Sequence, residues 1–142
     1  MLYRIITILC LCHFLSVAKP VVYIVKHQDL PAYNIAIQTI KDELSESYEL
    51  KEATVDRQNM SSLAKEIKKN RAKLTISVGT KATKLLQTKM KRAPILFTMV
   101  FRPDRTELVK SLKFPGKNAT GIALDIPLDT QFATLREKIG RA

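Results

Sequence analysis

Leu74-Thr75-Ile76-Ser77-Val78-Gly79-Thr80-Lys81-Ala82-Thr83 carries two hydrophobic periods in succession. Its first half is a short, β-branched apolar run stopped by glycine, which reads as a buried strand. From Ala82 onward Leu85, Leu86 and Met90 recur at helical spacing. A strand that turns through glycine directly into a helix is one βα unit, and the remainder of the chain repeats that unit. Residues 21–25 (Val-Val-Tyr-Ile-Val) form a strand apolar on both faces, followed by Tyr33, Ala36, Ile37, Ile40 and Leu44 at helical spacing. Residues 48–55 read as a more polar strand suited to an edge, and Met60, Leu63, Ala64 and Ile67 mark the next helix. Residues 94–101 read as a fourth strand, with a short helix predicted over 107–112. Pro115-Gly116 then turns the chain into a fifth strand near 121–124, and Leu128, Phe132, Leu135 and Ile139 define a last helix. Strands separated by helices of this length predict an α/β fold: a doubly wound parallel sheet of about five strands with helices on both faces.

At 142 residues, 46% hydrophobic, the chain fits one globular domain with a substantial core. The formal charge of +11 is the outlying value. It suits a nucleic-acid or anionic-membrane partner, an anionic ligand or merely a basic surface. Lys and Arg are spread along the sequence, aromatics are 6% and Trp is absent, which favours the plain basic surface and weakens the nucleic-acid reading. The opening Met1-Leu2-Tyr3-Arg4, the apolar residues 5–15 and the small-residue exit Ser16-Val17-Ala18 together read as an export signal cut before Lys19. An uncleaved anchor and a buried first strand are the alternatives. The run is shorter than the ~20 apolar residues of a membrane-spanning helix. Both cysteines, Cys10 and Cys12, fall inside this leader, and neither follows the small residues a lipoprotein signal prefers. Cleavage therefore leaves a mature chain over 19–142 with no thiol, and so no disulfide or Cys-ligated metal site.

In a doubly wound sheet, ligands bind outside the carboxyl ends of the strands where strand order reverses. That rule nominates the loops 26–31, 79–83 and 101–104. Gly79 lets the backbone turn tightly, and Thr80 is placed to cap the following helix, whose free amides favour an anion such as a carboxylate or phosphate. A helix cap with no ligand role accounts for the same residues. No Walker-type glycine pattern is present, so a nucleotide site is unsupported. His27, Gln28 and Asp29 follow the first strand and suit contact with a bound solute or capping of the next helix. Catalysis is not expected, since no Ser or Cys nucleophile stands in a recognisable elbow and the other histidine, His13, lies in the leader. Phe101 and Arg102 follow the fourth strand; the guanidinium suits either a ligand carboxylate or the nearby Asp104. No ligand cluster suggests a metal, no cofactor is expected, and Asn59-Met60-Ser61 and Asn118-Ala119-Thr120 read as chance matches to the glycosylation pattern.

Taken in order, these loops resemble the tryptophan/tyrosine-type family of ABC-transporter substrate-binding proteins. Val78-Gly79-Thr80-Lys81-Ala82-Thr83 is similar to the family's Gly-Thr-x-Ala-Thr turn. Residues 94–103 (Pro-Ile-Leu-Phe-Thr-Met-Val-Phe-Arg-Pro) are similar to its Pro-Ile-x-Phe-x-x-Val-x-Asp-Pro segment. Leu108-Val109-Lys110-Ser111-Leu112 and residues 115–121 (Pro-Gly-Lys-Asn-Ala-Thr-Gly) resemble its Leu-Val-x-Ser-Leu and Pro-Gly-x-Asn-x-Thr-Gly elements, and Asp29-Leu30-Pro31-Ala32-Tyr33 also fits. The resemblance covers about residues 20–139. It implies a type I periplasmic-binding-protein-like lobe in a two-lobed, non-enzymatic protein that closes on a small solute, such as an amino acid, and delivers it to an ABC permease outside the cytoplasm. Membrane contact is then expected only through the leader or the permease. Arg102 stands where the family usually has Asp, which alters the expected ligand contact there. The sequence ends at Ala142, where the family enters its second lobe, so a fragment or a one-lobe derivative is expected. The competing reading is an exported single lobe that pairs with itself or with a sensor.

Overall fold

The computed structural model describes residues 18–124 and 128–140. Residues 1–17, which hold nearly all of the expected leader and both cysteines, lie outside the described residues. The order is β1 (Val21–Lys26), α1 (Pro31–Leu44), β2 (Glu49–Thr54), α2 (Met60–Lys69), β3 (Leu74–Val78), α3 (Thr80–Lys89), β4 (Ile95–Val100), β5 (Ala119–Ala123) and α4 (Leu128–Ile139). All five strands are parallel, in the order β2-β1-β3-β4-β5. The chain steps from β1 outward to β2, then returns past β1 to β3. Strand order therefore reverses between β1 and β3.

Alternation along the central strands sends side chains to two apolar layers. Tyr23, Val25 and Phe97 join Leu63 and Ile67 of α2 and Ala82 and Leu86 of α3 in the larger one. Ile24 and Val78 meet Ile37 of α1 in the smaller, with Tyr33, Ile40, Leu50 and Met99 packed around them. Helices thus cover both faces, as the strand–helix alternation predicts. Burying a side chain such as Ile37 contributes about 1.5–3 kcal/mol. Among the described residues polar β2 pairs only with β1 and so occupies an edge, where its outer side chains are wet.

Two local expectations fail. No helix forms over 107–112, where the backbone runs through successive turns. Glu107 has φ 61°, a left-handed conformation that no right-handed helix can absorb, and the Leu108 amide instead reaches the Pro103 carbonyl at 3.0 Å. Leu108 and Val109 are nonetheless buried. Thr80 is the first helical residue of α3 rather than its cap. Gly79 takes the cap position at φ 90°, ψ 157°, and no side chain caps the helix.

Candidate functional site

Because β1, β3 and β4 are neighbours, the residues following them stand side by side along one edge of the sheet. His27, Gln28 and Asp29 leave β1, Gly79 and Thr80 leave β3, and Phe101 and Arg102 leave β4. The reversal point lies between the first two of these loops.

Gly79 is the pivot. Its φ of 90° belongs to a region L side chains rarely adopt, and a β-carbon built there would lie 2.3 Å from the Tyr33 hydroxyl. Tyr33, on the first turn of α1, therefore lays its phenol over the start of α3. Sequence periodicity places Tyr33 on the apolar stripe of α1 and gives no sign of this role; the signal was the glycine opposite it. Beneath the turn, the Thr83 hydroxyl donates to the Gly79 carbonyl at 2.9 Å. With that proton committed, Ser77 is the donor in the 2.8 Å bond between the Ser77 and Thr83 hydroxyls. Both side chains are fully buried, and this pair holds the turn from below. The amides of Thr80, Lys81 and Ala82 are the unpaired first amides of α3, where the helix dipole favours negative charge.

The β1 loop is occupied by its own contacts. His27 Nδ1 donates to the Val55 carbonyl at 2.8 Å, since a carbonyl can only accept. Lys26, largely buried, bonds Asp29 at 3.0 Å and Glu52 at 2.9 Å, and Glu52 also takes Lys41 at 2.6 Å. Hydrogen bonds from Lys26 and Asn34 hold the Asp29 carboxyl below its usual range, and those from Lys41 and Lys26 do the same at Glu52. Asp29 is thus an ion-paired carboxylate that remains largely exposed, and Gln28 is exposed.

At β4, Arg102 meets Asp104 through two bonds, Nε to Oδ1 at 3.3 Å and a terminal nitrogen to Oδ2 at 3.1 Å. Burial opposes ionisation of Asp104, yet the bonds from Arg102 and the Arg105 amide outweigh it and keep the carboxyl below its ordinary value. Arg102 thus forms an intramolecular pair with Asp104. Phe101 is 64% exposed and stands out from the edge. The β4–β5 register shifts between Phe97 and Val100, and Met99 adopts φ 56°, so the strand kinks just before these two residues. Among the described residues no group of three or more His, Cys, Asp or Glu could hold a metal, and no helix is long and apolar enough to cross a membrane.

One edge therefore offers helix amides, a tyrosine hydroxyl, an imidazole nitrogen and an exposed aromatic ring, arranged as a single open wall. Solved structures share this lobe. An ABC domain from Streptococcus pneumonia in complex with L-Trp matches at TM-score 0.63 and 22% identity, over 75% of this chain and 39% of that one. A conserved domain protein from Vibrio cholerae matches at TM-score 0.68 and 23% identity, over 84% and 43%. The ligand-free, open structure of a substrate binding protein with adhesive properties from Clostridium difficile matches at 0.67 and 21%, over 83% and 43%. At these identities the likeness establishes the fold, and the chain spans about two fifths of each of those proteins. No curated protein sequence matches the chain. The family comparison supplies what the distant structures do not: its match runs over residues 21–140, from the first strand through the last helix, and the chain belongs to the ABC transporter substrate binding protein family.

Proposed function

We propose that the chain is one lobe of an extracytoplasmic solute-binding protein that serves an ABC permease, is not itself an enzyme, and takes a small molecule such as an amino acid. The observation carrying this reading is the open wall at the β1–β3 reversal, where the first amides of α3 and the Tyr33 hydroxyl stand together. A carboxylate fits the amides, and Tyr33 and Phe101 supply ring faces for the remainder of the solute. His27, Gln28, Asp29, Gly79, Thr80, Phe101 and Arg102 are the proposed contacts, with Tyr33 added. One wall excludes little water, so affinity for this lobe alone is weak, in the range of about 1 mM. Titration of the isotope-labelled chain with free amino acids and small anions, followed by amide NMR, tests the reading. Expected are shifts confined to the amides around Gly79, His27 and Phe101, saturating only at high concentration. Shifts elsewhere, or none with any solute, would sink the site; micromolar affinity would sink the one-wall argument.

A second reading, a lobe that pairs with itself or with a partner, draws on α4. Phe132, Leu135 and Ile139 are all exposed there, and Ile122 and Leu124 are exposed on and after β5. Size-exclusion chromatography separates the two: a concentration-dependent dimer favours the second, a monomer counts against it.

A further inference from the structure

The opposite pole of the sheet carries a feature unrelated to the solute wall. Residues 68–73 run through the end of α2 and residues 89–92 through the end of α3, and the parallel sheet brings both stretches to the amino ends of β3 and β4. Cations spread along the sequence are thereby gathered on one face. Lys68, Arg71, Lys89, Lys91 and Arg92 ring a cavity of about 660 Å³ whose floor is Ala64, Ile67, Ala72, Met90 and Ala93. Among the described residues none of these five makes an ion pair. The nearby Glu66 is engaged by the Tyr23 hydroxyl at 2.8 Å.

Helix dipoles explain part of this arrangement, since cations are favoured near helix C-termini such as Lys68 and Lys89. They do not explain Arg71, Lys91 and Arg92, which lie beyond the helices. Arg71 is held at φ 50°, immediately after the α2 cap, in the left-handed position where helices favour glycine. The chain enters at the same pole. The Lys73 amide donates to the Val21 carbonyl at the start of β1, and the apolar residues 5–15 precede that strand in sequence.

We propose that this pole docks on an anionic phospholipid surface, with the ring of cations on headgroup phosphates and the aliphatic floor accepting the apolar part of a lipid. The floor decides between a lipid and a nucleic acid: it is aliphatic, and no aromatic ring lines the cavity for base stacking.

The test is vesicle flotation of the full chain with phosphatidylcholine alone and with about one third phosphatidylglycerol. The leader contributes equally to both, so the readout is the increment due to anionic lipid. Each basic residue near such a surface contributes on the order of fivefold. Lys68→Gln/Arg71→Gln/Arg92→Gln together should therefore reduce the increment at least tenfold, as should roughly 1 M salt. Arg57→Gln/Lys81→Gln/Arg105→Gln makes the same charge change at the other pole and should leave it within about twofold. Arg71→Gly separates folding from docking, because it should raise the thermal midpoint while lowering the increment several-fold. No anionic increment, an equal loss with both triple variants, or tighter binding to a duplex oligonucleotide than to anionic vesicles overturns the proposal.

Discussion

Gly79→Ala tests the claim that the reversal point is built on a conformation other residues do not tolerate. Two costs arise from the structure. Placing alanine at φ 90°, ψ 157° costs about 1–3 kcal/mol of backbone strain. The new methyl also meets the Tyr33 hydroxyl at 2.3 Å and the ring carbon bearing it at 2.7 Å. That second cost is the smaller, because Tyr33 is only half-buried and its phenol can swing outward. We expect a loss of about 2–4 kcal/mol, a large share of the 5–15 kcal/mol typical of a domain, and a fall in midpoint of roughly 10 °C. Urea unfolding followed by circular dichroism measures it. A double-mutant cycle with Tyr33→Ala divides the two costs, with a coupling of about 1 kcal/mol or less expected and most of the loss persisting without the phenol. A Gly79→Ala variant within about 0.5 kcal/mol of the parent would refute the strain argument. A coupling equal to the whole loss would assign the cost to the contact instead.

Gly121→Ala should be worse, more than about 3 kcal/mol, because its β-carbon would lie 1.9 Å from the Phe97 carbonyl oxygen, and backbone cannot swing aside; a soluble variant with an unchanged urea midpoint contradicts this. Thr83→Val removes the acceptor of Ser77 in a dry site and should cost about 1–3 kcal/mol, with Ser77→Ala added on top restoring part of the loss in the same unfolding assay. Acid should destabilise the fold through Glu52 and Asp29, whose carboxyls are depressed by the Lys41 and Lys26 contacts. Their stabilisation is complete above the unfolded values near about pH 4 and is lost as pH falls through the lower folded ones. Glu52→Gln should therefore flatten the acid limb of a midpoint-versus-pH profile, and an unchanged limb argues against it. At the alkaline end Tyr23 and Lys26 are both raised, Tyr23 chiefly by burial and Lys26 by its bond to Glu52. Their contribution is present below about pH 10 and fades above it, so Tyr23→Phe should flatten that limb.

Strands, helices and their order were legible in the sequence because hydrophobic period is a local property. The buried run at β1, the polar β2 and the glycine-stopped β3 each need only their own residues to be read. The loops along the reversal edge followed from that order, since parallel strands deliver their carboxyl ends to one side. Conformation at single residues was not legible. Thr80 looked like a cap until the dihedrals of Gly79 moved the helix start by one position, and residues 107–112, expected as a helix, bury Leu108 and Val109 from a chain of turns instead. Pairing across the chain was hidden for the same reason. Nothing near Tyr33 in sequence reveals that its phenol rests on Gly79. The basic pole is the largest such case. Lysines and arginines some twenty residues apart look evenly spread along a line, and become one face only when β3 and β4 lie side by side. Sequence determined which segments build the lobe; the packing of those segments decided which residues stand together, because contact depends on strand order and side-chain direction that no single segment contains.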